Sequence, residues 1–162
     1  MGTVRLTSHV APDFGDAGPP DDFQWVNDVD DAATVFRQSW PARAEHLAAI
    51  RAAVRSRAAA FGLGGEAVDD IVLAVNEAAS NSVEHAYRPP QPPGTVEVAL
   101  AAAAGTLTVD VRDQGRWLLR EAEGGDRRLR GRGLVIMRSL LDAVRVDTGP
   151  LGTRVLATVR IA

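Results

Sequence analysis

The sequence predicts a two-layer α/β sandwich, a mixed and mainly antiparallel sheet with helices packed on one face. Three observations lead there. Two consecutive segments each carry one apolar stripe at helical spacing. Strand-like runs come in pairs joined by short glycine turns, and a short connection forces an antiparallel pair. The order along the chain is strand, helix, helix, strand, strand, helix, strand, strand, with no internal repeat. With 162 residues, 46% of them apolar, the chain can bury one sizeable core.

Residues 1–31 stand apart from this pattern. Asp13, Asp16, Asp21, Asp22, Asp28, Asp30 and Asp31 oppose Arg5 alone, with Pro12, Pro19 and Pro20 among them. One-sided charge and low apolar content predict a flexible acidic extension, leaving 32–162 as the folded domain. "TVFRQSW" at 34–40 alternates Val35, Arg37 and Ser39 against Phe36, Gln38 and Trp40, as an edge strand does. Pro41 suits the first position of a helix. Leu47, Ile50, Val54, Ala58 and Phe61 then follow at steps of three and four, and Gly62 closes that helix.

A second helix is predicted from about Glu66 to Tyr87. Val68, Ile71, Val72, Val75, Ala79 and Val83 fall on one side of it; Asp70, Ala74, Glu77 and Asn81 fall on the other. "RPPQPPG" ends it, because proline denies the next turn its donor. "TVEVALA" from Thr95 and "TLTVDVRD" from Thr106 read as a strand pair around Gly105. A long loop from Gln114 to about Arg130 carries Gly124, Gly125 and the cluster Arg127, Arg128 and Arg130. "GRGLVIMRSLLDAV" from Gly131 is the third amphipathic helix, and "VRVDT" and "TRVLATVRI" form a closing hairpin.

Composition removes several function classes. Cysteine is absent, and with it disulfides, thiolate metal sites and cysteine nucleophiles. All 18 basic residues are arginine, so no P-loop or Schiff-base lysine exists. A net charge of −3 gives no general attraction to nucleic acid, and no basic stripe is visible. No apolar run is long enough for a membrane-spanning helix, and the start "MGTVRLTSHVAPDFG" lacks the apolar core of a signal peptide.

Chemistry concentrates in "NEAASNSVEHAY", where a helix accepts polar residues that suit caps better than helix interiors. Glu77 and Asn81 are four apart, one turn from each other on the same face, and His85 lies another turn on. An asparagine amide oxygen is a hard neutral ligand suited to Mg²⁺, and a carboxylate beside it can accept a proton from a hydroxyl. Asp113 and Gly115 in "VRDQG" end a strand; a carboxylate there can accept from an adenine amino group. Gly131, Arg132, Gly133 and Leu134 open the third helix, where bare N–H groups face an anion. Thr153 opens the last strand with a hydroxyl. Taken singly, each motif has a plain structural explanation: a solvated helix face, a strand-ending turn, a loop-to-helix turn, a hydrogen-bonding histidine.

Together and in this order, "NEAASNSVEHAY", "VRDQG", "GRGLVIM" and "GTRV" resemble the GHKL (histidine-kinase-like ATPase) superfamily, and within it the anti-sigma-factor serine kinases. The likeness covers about Thr34 to Ile161 and implies the Bergerat-type form of the sandwich. It implies ATP and Mg²⁺ as cofactors, with Asn81 as metal ligand and Glu77 as the general base acting on a serine. It also implies Asp113 on the adenine amino group, Gly115, Gly131 and Gly133 flanking the ATP lid, Thr153 near the base, and residues 116–130 as the lid. His85, Arg132 and Leu134 complete the implied nucleotide-binding set. The implied partners are a sigma factor and an anti-sigma-factor antagonist protein, in a cytoplasmic homodimer that touches neither nucleic acid nor membrane. The sequence departs from the family at one place. Where the adenine-side box runs D-x-G-x-G, this chain has "DQGRW", with Arg116 and Trp117. That departure keeps a second reading in play, a binding module of the same fold without catalysis. A sensor histidine kinase ranks lower, since no phosphoacceptor helix pair precedes Ala33.

Overall fold

The computed structural model describes residues 34–87, 94–103, 105–115, 128–149 and 151–161. The acidic extension and the centre of the long arginine-rich loop lie outside the described residues. Five strands form one sheet: β1 (Thr34–Pro41), β2 (Thr95–Ala103), β3 (Thr106–Asp113), β4 (Ala143–Gly149) and β5 (Gly152–Arg160), in the order β1-β2-β3-β5-β4. Every pairing among them is antiparallel, so the sheet, expected to be mixed and mainly antiparallel, has no parallel pair among the described strands. β1 is an edge strand, as its alternation predicts. The long connection between β3 and β4 carries a helix and returns the chain to the far edge, and β5 then inserts between β3 and β4.

Three helices cover one face: α1 (Leu47–Ala59), α2 (Gly65–Asn81) and α3 (Arg128–Leu140). Pro41 does not start α1. It ends β1, the next amide Ala42 N–H donates to Gly94 O at 2.8 Å, and a 3₁₀ turn at Ala44–His46 leads into the helix. α3 begins three residues before Gly131, so the glycines lie inside its first two turns and not ahead of it.

The core forms where the apolar stripes meet the inner face of the sheet. Ile50, Val54 and Ala58 of α1, and Val68, Ile71, Val72, Val75 and Ala79 of α2, pack against Val96, Val98, Leu100, Leu107, Val109 and Val111. Ala74, expected on the side of α2 away from its apolar stripe, is also buried, as is Ala78, because α3 lies across them and seats Met137 in the same cluster. Small residues at that crossing let the two helices approach closely. On the far side of α2, Ala74 is covered while Asp70, Glu77 and Asn81 stay partly exposed.

Candidate functional site

The site is built where α2 ends. After Asn81 the helix widens into a π-helical turn, Ser82–Ala86. Such turns recur at functional sites because they re-aim side chains. Ser82 is turned inward, almost completely buried, and its hydroxyl donates to Asp113 Oδ2 at 2.6 Å. The Ala78 carbonyl at 3.2 Å is the longer alternative for the same proton. Asp113 is 5% exposed. Its other oxygen accepts from the backbone N–H groups of Gly115 at 3.1 Å and Thr153 at 3.3 Å. A buried carboxylate costs several kcal/mol unless hydrogen bonds replace water, and these three donors from three segments supply the replacement. The carboxylate thereby fixes the ends of β3, β5 and α2 relative to one another.

Gly115 makes that convergence sterically possible. A Cβ there would overlap the Ala86 carbonyl and methyl. Tyr87 closes the same corner: its hydroxyl donates to Thr95 O and accepts from Gln114 N–H, both at 2.8 Å. Burial raises the Tyr87 phenol above its ordinary pKa and the nearby Asp113 charge adds to the rise; the two backbone hydrogen bonds pull the other way.

One turn back, Glu77 and Asn81 meet α3. A Cβ on Gly133 would stand 3.0 Å from Glu77 Oε2 and 3.7 Å from Asn81 Nδ2. Glycine at this position leaves a cradle bounded by a carboxylate, an amide and helix backbone. Glu77 and Asn81 are both partly exposed. The arrangement therefore has two connected halves: Glu77, Asn81 and Gly133 on one side, Ser82, Asp113, Gly115 and Thr153 on the other. Asn81 and Ser82 are adjacent in the chain and join them.

The remaining predicted residues are placed as follows. Gly131 lies in the first turn of α3 and His85 in the π-helical turn; the side chains of His85 and Arg132 lie outside the described part of the structure. Leu134 packs partly buried against the main core. Arg116 and Trp117 lie outside the described residues. Two of the polar residues in the opening motif serve the scaffold. Asn76 accepts from Arg51 of α1 at 2.8 Å, and Ser82 braces Asp113. The role of Ser82 as a support was missed, although its place three residues past Ala79 and seven past Val75, on the buried side of the helix, points to it.

Whether these residues suit a magnesium nucleotide can be tested on their chemistry. Thr153 is 4% exposed, and its Oγ1 is the one buried side-chain polar atom among the described residues without a hydrogen-bond partner. A buried orphan hydroxyl beside a locked carboxylate asks for a polar ligand group or an ordered water. Among the described residues no three His, Cys, Asp or Glu side chains group as a metal cage. An amide oxygen with one neighbouring carboxylate matches a cation that keeps waters and takes its remaining oxygens from phosphates. The donor set fits that group.

A helix-backed antiparallel sheet in which Glu77, Asn81 and Gly133 meet beside the Ser82–Asp113 hydrogen bond defines a class, the ATPase-type α/β sandwich. Comparison with known proteins narrows it. The family model for the histidine kinase-like ATPase domain matches residues 40–159, and the chain belongs to that family. A protein of Bacillus licheniformis named "Serine-protein kinase RsbW" is 30% identical over 128 residues, covering 72% of this chain and 79% of that protein. Another B. licheniformis protein of the same name is 32% identical over 84 residues. That match covers 52% of each, so the chain spans about half the length of that relative. The crystal structure of the RsbU and RsbW domains of Rv1364c from Mycobacterium tuberculosis is similar with a TM-score of 0.62 and 28% identity, over 78% of this chain and 31% of that one. Among the described residues no helix is long and apolar enough to cross a membrane.

Proposed function

We propose that this chain is an ATP-binding anti-sigma regulator that phosphorylates a serine on an antagonist protein and sequesters a sigma factor. The observation that carries the reading is the convergence of Glu77, Asn81 and Gly133, one residue along from the Ser82–Asp113 anchor. Family membership and the serine-kinase names of the relatives support the substrate class. Bound Mg·ATP supplies the transferable phosphoryl group and the charge that neutralises it. The chain's own residues position and deprotonate. Asp113, held by three donors, would accept from the adenine amino group, and Thr153 would contribute its hydroxyl beside it. Asn81 would ligate the metal through its amide oxygen. Glu77, one turn away, would take the serine hydroxyl proton. Gly133 lets α3 approach Glu77 and Asn81, and its backbone would help hold the phosphates. Catalysis of this kind rests on positioning and electrostatics and asks for no covalent chemistry from the protein.

The test is Mg²⁺-dependent transfer of labelled phosphate from ATP to a cognate antagonist, with Glu77→Ala as the control. The expected result is transfer by the wild type and none by the variant, with nucleotide affinity kept. A wild type that binds antagonist and ATP yet transfers nothing would remove the kinase half. The "DQGRW" departure favours that second reading, a binding module acting through protein contacts alone.

A further inference from the structure

The ladder between β2 and β3 ends where Val96 stands opposite Asp113, so Thr95 and Gln114 are the next opposing residues in that register. A hydrogen-bonded pair at this step would join Gln114 N–H to Thr95 O directly. The Tyr87 hydroxyl takes that place instead. It accepts from Gln114 N–H and donates to Thr95 O, each at 2.8 Å, so the ladder bond passes through a side chain. Two bonds in series hold the strand ends further apart than one direct bond would. Tyr87 thus acts as a wedge at the point where the chain leaves Asp113.

Packing seats the wedge on both sides. Tyr87 directly follows the π-helical turn and leaves helical backbone at φ −122°, ψ 89°. Its ring lies against Gly94, the residue before β2: a Cβ there would stand 2.0 Å from Tyr87 Cε1 and 2.2 Å from Cζ. Glycine at that position is what admits the ring. Beyond the wedge the chain turns inward, with Gln114 exposed and Gly115 buried against Ala86. Gly115 N–H then reaches back to Asp113 Oδ1 at 3.1 Å. A side chain accepting from the backbone two residues on needs a turn, and a strand that stayed paired past Asp113 would carry Gly115 away from that carboxylate.

We propose that Tyr87 is a positioning residue for base recognition: its hydroxyl holds open the end of the β2–β3 ladder, so that the chain turns at Gln114 and Gly115 and Asp113 is held in the orientation that takes an adenine amino group. This role rests on the reading of Asp113 given above. The hydroxyl is occupied by two backbone groups and acts through them. In Tyr87→Phe the ring remains, but Gln114 N–H and Thr95 O lose their mediator and close on each other, drawing Gly115 off Asp113 Oδ1.

Competition titrations of the full chain with Mg·ATP and Mg·ITP test this, because inosine carries an oxygen in place of the adenine amino group. The wild type should prefer ATP by about tenfold or more. Tyr87→Phe should lose about tenfold in ATP affinity and less than about twofold in ITP affinity, so the preference collapses. In phosphate transfer its KM for ATP should rise in step while kcat at saturation stays within about twofold, since Glu77 and Asn81 precede the wedge. A variant that is merely less stable would lose both nucleotides alike. Hydrogen exchange on the wild type carries the test if the variant does not fold. The Gln114 amide, on an exposed residue and bonded to Tyr87, should be protected, and exchange as fast as in an unstructured peptide would overturn the wedge. In Tyr87→Phe, an unchanged ATP affinity, or ATP and ITP affinities falling by the same factor, would overturn the positioning role alone. A wild type that binds ATP and ITP equally would overturn the reading of Asp113 and this role with it, and one that binds neither would overturn the nucleotide reading as a whole.

Discussion

Ser82→Ala isolates the bond on which the site's geometry depends. The substitution keeps the helix and removes one hydroxyl. It takes a side-chain donor from Asp113 and keeps the backbone donors of Gly115 and Thr153, at a carboxylate that is 5% exposed. A hydrogen bond to a charged group contributes about 1.5–3 kcal/mol, and removing one partner at a buried site takes the upper part of that range. The expected loss is therefore about 2–3 kcal/mol in urea unfolding, or roughly 4–12 °C in Tm for a domain of this size. Because Asp113 holds the ends of three segments, nucleotide affinity should fall with it. A double-mutant cycle with Asp113→Asn separates the pair from its surroundings, and a coupling of about 1–3 kcal/mol is expected for groups in direct contact. A Ser82→Ala protein within about 0.5 kcal/mol of wild type, or a coupling near zero, would refute the argument that the serine braces the carboxylate.

Asn81→Ala should weaken Mg·ATP binding in calorimetric titration while changing stability by less than about 1 kcal/mol, since the side chain is partly exposed and outside the apolar stripe. Gly115→Ala should destabilise by about 2 kcal/mol or more, measured by denaturant unfolding, because its Cβ must displace the Ala86 backbone. Gly133→Ala should leave the fold intact and favour the helix by up to about 1 kcal/mol, yet displace Glu77 and slow phosphate transfer, so its stability and its activity should move in opposite directions. The raised pKa of Tyr87 favours the neutral phenol in the folded state. Its contribution should be fully present below about pH 10, the unfolded value, and be lost as pH rises through the folded one. Unfolding curves of Tyr87→Phe should lack that alkaline component.

Element type and order were legible because core burial imposes a period on the sequence. The stripe Ile50, Val54, Ala58 and the alternation in β3 register directly which face meets the core. The Glu77–Asn81 pair was legible for the same reason, since four residues make one turn. Where the first turn of α3 begins was not legible, because glycines that read as a loop are tolerated inside a helix when a neighbouring element needs the space. Pro41 misled similarly: its fixed φ suits a helix start and also the last residue of an edge strand, and only pairing with Thr95 decides between them.

The sequence by itself determined the layers, the apolar stripes of α1 and α2 that meet the sheet and the spacing of the groups in each motif, because these follow from local periodicity. The tertiary structure alone decided which motifs meet. Gly133 lies against Glu77 because α3 crosses α2 over two alanines, and Asp113 meets Ser82 because the sheet brings the end of β3 against the buried side of the helix that carries it. No one-dimensional period encodes such contacts, since they arise from the packing of segments distant in the chain.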